Sequence, residues 1–131
     1  MTHPRRGHVL RTAAAMIAVL FGVATLGAGV SVLAGADPGY LVFRPLLLFN
    51  TAMGLAYVGA GLAMHWRPQS GANAAIAIAA LNLLVLAAIA VLHAQEGPVA
   101  VDSVRAMTLR AGVWFALALL MHFAIRAARA R

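Results

Sequence analysis

The stretch Asp102-Ser103-Val104-Arg105-Ala106-Met107-Thr108-Leu109-Arg110-Ala111-Gly112-Val113-Trp114 decides how this chain is read. It opens the last apolar run and carries two arginines into it. Arg105 falls where a membrane surface would be. Arg110 lies further in, roughly 7 to 8 Å along a helix. A charge at that depth is costly unless it is paired or wetted, so Arg110 marks a polar site.

Outward from this run, composition fixes the class. Of the 131 residues, 63% are hydrophobic and 10% charged, too few polar side chains to cover a water-facing surface. The apolar residues gather into four runs, roughly 12–34, 45–66, 73–94 and 103–125, each near the ~20 residues a bilayer requires. The expected fold is all-α: one domain over residues 1–131, an integral membrane bundle of four transmembrane helices. The chain has no cysteine, which excludes disulfides, thiolate metal sites and cysteine nucleophiles.

Local signals set the boundaries. A basic leader, 1–11, precedes the first run, and Asp37-Pro38-Gly39 makes a turn after it. Arg44 stands just outside the second run, where Pro45 suits a first helical turn. Residues 65–71, His65-Trp66-Arg67-Pro68-Gln69-Ser70-Gly71, read as a linker. Gln95-Glu96-Gly97-Pro98 stops the third run. Ser103 is the expected N-cap of the fourth, and Arg126, Arg129 and Arg131 form a basic tail. Arg5-Arg6 before an apolar run and Ala34-Gly35-Ala36 have the outline of a signal peptide. That run exceeds the about 7–15 residues of a signal core, so an uncleaved first helix is expected.

The ten basic residues, all arginine, stand against three acids, for a net charge of +7. In a water-soluble chain that balance would suggest nucleic acid. Here it reads as a topology signal and as contacts for anionic lipid headgroups. The leader, Arg67 and the tail carry arginine and no acid, whereas Asp37, Glu96 and Asp102 fall in the first and third loops. Both termini and the middle loop are therefore expected in the cytoplasm, in a bacterial inner membrane.

The sequence also suggests two repeated helical hairpins. Gly54 to Trp66 lines up with Ala111 to Phe123, and Val30 to Asp37 with Ile89 to Glu96. Such a repeat would be parallel, since an even number of spans separates its halves. Small residues recur every fourth position at Ala14, Ala18 and Gly22, and at Ala52, Ala56 and Ala60 beside Gly59 and Gly61. These rows let backbones approach closely, and are expected to pack helices inside the bundle rather than form the alternative, a dimer face.

The candidate polar site collects at the outer ends: Arg44, Asn50, His93, Glu96, Asp102, Arg105 and Arg110. Asn50 matches Arg110 in depth, so the two would share a pocket if their helices meet. In that case Arg110 anchors a small anion, a headgroup or a quinone-like ligand, with Asn50 and His93 as hydrogen-bond partners and Trp114 as an apolar wall. Alternatively, Arg110 pairs with Glu96 or Asp102 and staples a loop to the bundle. Asn82, near the middle of the third run, is expected to bond across to a neighbouring helix. No acid lies inside a span, which counts against a coupled transporter. His3, His8, His65 and His122 lack metal-ligand spacing, and no hydrolase or phosphate-loop motif occurs. Neither metal, cofactor nor catalysis is expected. Trp66 and Phe123, with Tyr40 and Phe43 at the other end, read as interfacial belt residues.

Several segments together resemble a group of small four-span bacterial membrane proteins. They are Leu20-Phe21-Gly22, Phe49-Asn50 with Gly54-Leu55-Ala56-Tyr57-Val58-Gly59-Ala60-Gly61, His93, and Arg105-Ala106-Met107-Thr108-Leu109-Arg110 with Trp114. The resemblance implies the four-helix fold and the choice of Arg110, Asn50 and His93. It implies no activity, substrate or cofactor. Two functional expectations stand. One is a non-enzymatic accessory or structural subunit with a membrane-protein partner or a second copy. The other is a protein that binds or transports a small molecule or lipid in the pocket around Arg110 and Asn50.

Overall fold

The computed structural model describes residues 3–130, with side chains from Arg5 onward. The His3 side chain of the leader and Arg131 of the tail lie outside the described residues. Four helices account for nearly all of the chain: α1 (His3–Leu33), α2 (Arg44–Trp66), α3 (Pro68–Ala94) and α4 (Val101–Arg129). Each is long and apolar enough to cross a membrane, and together they make a multi-pass bundle. α1 packs on α2 and α4, and α3 packs on the same two, so the helices follow one another around a ring. Both described chain ends and the α2–α3 connection lie at one end of the bundle, called here the terminal end. The two remaining loops lie at the other, the loop end.

The packing is that of a chain solvated by lipid. Large apolar side chains face outward on all four helices, as at Leu20, Leu55, Leu84 and Phe115. The interior is built on alanines that are wholly buried, Ala14, Ala18 and Ala75, around a few large groups, Tyr57, Met64, Trp114 and Met121. Lipid tails are as apolar as leucine, so burial of leucine drives nothing here; close backbone approach and polar contacts hold the helices together.

The longest close seam is between α1 and α2. A Cβ on Gly22 would lie 2.8 Å from the backbone nitrogen of Val58 and 2.9 Å from the carbonyl oxygen of Gly54. A Cβ on Gly61 would lie 2.9 Å from the Val19 nitrogen. The helices therefore meet backbone to backbone through Gly22, Gly54 and Gly61. This corrects the expected row on α2. Ala60 is buried, but Ala52, Ala56 and Gly59 face outward, because the helix turns its Gly54–Gly61 face to α1.

Four boundaries also differ. The basic leader is helical from His3 and continues into α1 without a break. The expected linker 65–71 shrinks to Arg67 alone: α2 runs through Trp66, and α3 starts on Pro68, which suits a first turn because its missing N–H has no helical role there. Gly71 makes the sharp return possible, since a Cβ there would sit 2.5 Å from the Met64 Cα. α4 starts at Val101 with Ala100 at its N-cap, so Ser103 is a buried residue inside the helix and not a cap. α4 also continues past 125 to Arg129.

α1 and α3 end in the same way. At α1, Gly35 N–H bonds to Val32 O (3.1 Å) and Ala36 N–H to Ser31 O (3.0 Å). At α3, Glu96 N–H bonds to His93 O (3.1 Å) and Gly97 N–H to Leu92 O (2.7 Å). Both are Schellman motifs, which satisfy the last orphan carbonyls and require a left-handed residue just past the helix. Gly35 fills that position at φ 111°, and Glu96 fills it at φ 58°.

The buried positions of the two hairpins repeat with one offset, 57, where the sequence alignment suggested slightly different offsets for the two helices. Ala14, Ala15, Ala18 and Thr25 of α1 match Gly71, Ala72, Ala75 and Asn82 of α3, all buried. Leu46, Gly54, Tyr57, Ala60 and Met64 of α2 match Ser103, Ala111, Trp114, Leu117 and Met121 of α4, again all buried.

Candidate functional site: a polar cavity at the loop end

Two polar features occupy the bundle, one at its centre and one under the loops. At the centre, Asn82 of α3 meets Tyr57 of α2. The tyrosine hydroxyl lies 3.2 Å from Asn82 Oδ1, to which it can donate, and 3.1 Å from Nδ2, from which it can accept. Both residues are fully buried. The Tyr57 ring packs at 4.7 Å from the Trp114 ring and 5.6 Å from the Phe21 ring. All four helices thus contribute to one aromatic and amide plug. It fills the middle of the bundle with side chains from every helix.

Above the plug, at the loop end, α1, α2 and α4 diverge around a cavity of about 100 Å³. Its polar lining comes from Thr25 of α1, Tyr40 of the first loop, Asn50 of α2, and Ser103 and Arg110 of α4. Phe43 and Leu46 complete an apolar rim. α2 and α4 stand diagonally in the ring and make little direct contact, so Arg110 and Asn50 face each other's cavity wall without closing it. One water needs roughly 10–15 Å³ of such space. The cavity therefore admits several waters or one small acidic group.

The electrostatics of this cavity are unbalanced. Arg110 Nε and Asn50 Oδ1 are both buried and neither has a hydrogen-bond partner. Trp114 Nε1, one turn below Arg110, is buried and unpartnered as well. Buried polar groups are nearly always satisfied, and this orphaned Nε belongs to a half-buried guanidinium, whose charge raises the cost of leaving it alone. Among the described residues no ion pair within 4.0 Å joins Arg110 to Glu96 or Asp102. Both acids are exposed. The staple expected as one alternative for Arg110 is absent, because Asp102 lies two turns from Arg110 along α4 and Glu96 sits in the left-handed turn beyond α3.

The other candidates are placed elsewhere. His93 lies outside the cavity; its Nδ1 is 2.8 Å from Val99 O and ties down the α3–α4 loop. That bond seats Val99 in a small apolar cluster with Leu46, Ile89 and Met107. Arg105 is exposed at the start of α4. Arg44 is the first residue of α2 and shares a shallow surface cleft with Asp37. Trp114 belongs to the central plug and does not wall the cavity. Trp66 and Phe123 face outward, whereas Phe43 turns inward. Sequence reading missed Thr25, Tyr40 and Ser103. Thr25 had a visible signal, a hydroxyl inside the first apolar run, and Ser103 was assigned to a cap it does not make.

Comparison with protein families, curated proteins and solved structures gives no match. The likeness to small four-span bacterial proteins therefore stays a resemblance, and the site is read from its own chemistry.

Proposed function

We propose that this protein binds a small acidic group, a carboxylate or phosphate, in the loop-end cavity, with Arg110 as its charge anchor and Asn50 as its hydrogen-bond partner. The observation that carries this reading is the buried, unpartnered donor Arg110 Nε on the cavity wall; Asn50, on the same cavity, has an Nδ2 amide that can donate to the anion, while its unpartnered Oδ1 accepts from a water or hydroxyl. A guanidinium presents a planar fork that matches a carboxylate or phosphate. The buried donor then gains the partner that neither Glu96 nor Asp102 supplies. The arginines at the terminal end, with no acid among them, support a cytoplasmic location for that end in a bacterial inner membrane. The cavity would accordingly open towards the outside. The plug below it favours binding over passage through the bundle.

The test is ligand-dependent unfolding of the detergent-purified protein, with short carboxylic acids and phosphate esters as probes. A stabilising acid is expected for the wild type. Arg110→Lys keeps the charge but loses the fork, and should weaken binding about tenfold, the loss of one charge-assisted bond. If Arg110→Lys binds as well as wild type, or if no acid shifts unfolding while Arg110→Ala folds normally, the reading fails.

A further inference from the structure

The terminal end holds a second cleft, unrelated to the loop-end cavity. It has a volume of about 310 Å³ and lies between the start of α1, the end of α4 and the first turn of α3. Its shape follows from Gly7. A Cβ there would lie 2.9 Å from Ala124 O and 3.1 Å from the Ala128 nitrogen, so α1 and α4 touch at that point. One turn further along α1, the helices part at Arg11, opposite Gln69 of α3 and Arg129 of α4.

Three features of this cleft point to an anion. First, a terminal nitrogen of Arg11 donates to His8 Nδ1 over 3.1 Å, which holds the guanidinium against α1. Its Nε is nonetheless buried without a partner. Second, Arg129 adds another guanidinium from a different helix. Gln69 lies at the N-terminus of α3, a 27-residue helix that carries a partial positive charge there; its Nε2 donates to Asn73 Oδ1 over 3.2 Å with its second hydrogen left over, and the Gln69 and Ser70 N–H groups have no intrahelical acceptor. Third, no carboxylate side chain is at hand. Asp37, Glu96 and Asp102, the only acids in the sequence, all lie at the loop end. Two arginines and a helix N-terminus converge with no acidic side chain among them, and one of those arginines has a buried, unsatisfied donor.

We propose that this cleft is a phosphate-binding site, filled in the membrane by the headgroup of an anionic phospholipid. Arg11 and Arg129 grip the phosphate from two helices, and Gln69 with the α3 N-terminus donates to it from a third. Fork-shaped donors suit phosphate oxygens, and basic pockets between transmembrane helices recognise such headgroups. The bound lipid would bridge α1, α3 and α4 where only Gly7 now brings two of them together.

The experiment is native mass spectrometry of the delipidated full-length protein, titrated with phosphatidylglycerol, phosphatidylcholine and diacylglycerol. Phosphatidylglycerol should bind at least about fivefold more tightly than the other two, the gain from one or two charge-assisted contacts. Arg11→Gln and Arg129→Gln should each remove most of that preference. Arg126→Gln, which deletes the same charge at the same end outside the cleft, should leave it nearly intact. Arg129 is exposed, so its variant remains informative if Arg11→Gln fails to fold. Binding of inorganic phosphate alone, lost in the same two variants and without lipid preference, would keep the site and make free phosphate its ligand. Equal losses in all three variants would reduce the effect to bulk charge and overturn the site. Diacylglycerol bound as tightly as phosphatidylglycerol would overturn it too.

Discussion

The two hairpins are laid out on one pattern and packed in two ways. In α1–α2, Gly22, Gly54 and Gly61 bring the backbones together, and Gly29 makes room for the Thr51 side chain. Shifted by 57, the same positions in α3–α4 are Ala79, Ala111, Ala118 and Leu86. All four of these line an open apolar groove of about 750 Å³ between α3 and α4. One methyl or one isobutyl group at each position is enough to change a sealed seam into a furrow. The difference shows that helix spacing in this bundle is set by a handful of side-chain volumes, since lipid supplies no hydrophobic pressure to close a gap.

The sharpest way to break this contrast is to place the same side chain at matched positions. Gly22→Leu drives carbon into the Val58 and Gly54 backbone and should cost about 2–3 kcal/mol, as overpacking does. Ala79→Leu adds its bulk into the groove and should cost less than about 1 kcal/mol. Unfolding of the solubilised protein by denaturing detergent compares them directly. Equal costs would mean that the two seams do not differ as described.

A smaller effect is expected at the centre, where Asn82 of one hairpin matches Thr25 of the other. Asn82→Leu leaves the Tyr57 hydroxyl buried without its partner and should cost about 1 kcal/mol, in the range of polar contacts inside membranes. Thr25→Val removes a hydroxyl that borders the loop-end cavity and should cost under about 0.5 kcal/mol. The same unfolding assay ranks them, and a Thr25 effect larger than that of Asn82 would contradict the assignment of the plug to Tyr57 and Asn82.

The most local effects, comparable in size to that at Asn82, concern the two Schellman ends. Gly35→Ala places a Cβ at φ 111° and should destabilise by about 1 kcal/mol. Glu96→Gly relieves a side chain held at φ 58° and should stabilise by up to about 1 kcal/mol. Amide hydrogen exchange at the last turns of α1 and α3 reports each change locally. The two variants should move their helix ends in opposite directions.

Much of this was legible in the sequence, and the rest failed for identifiable reasons. Four apolar runs of bilayer length gave the helices, and Gly54–Trp66 against Ala111–Phe123 gave the repeat of the second helix in each hairpin. The ends were less legible. Residues 65–71 hold a proline, a serine and a glycine, which punctuate loops in water but here start a helix and let it lean on Met64. The α2 row at Ala52, Ala56 and Ala60 met the four-residue spacing, yet a composition so rich in alanine offers several such rows, and only packing selects among them. Arg110 and Asn50 were legible as polar groups at one depth. That they border a cavity with Thr25, Tyr40 and Ser103 depends on how three helices diverge, which spacing along one helix does not encode. Whether the half-buried Arg110 finds an acid is also a matter of loop path, and His93 ties that path down at Val99.

The connection through Arg67 alone has a mechanical consequence. A turn of one residue leaves α2 and α3 no slack, and the contact of Gly71 with Met64 holds the return. Neither helix can slide along the bundle without carrying the other. The two hairpins that the sequence repeats are thus coupled at their joint, and a shift in one is handed on to the next.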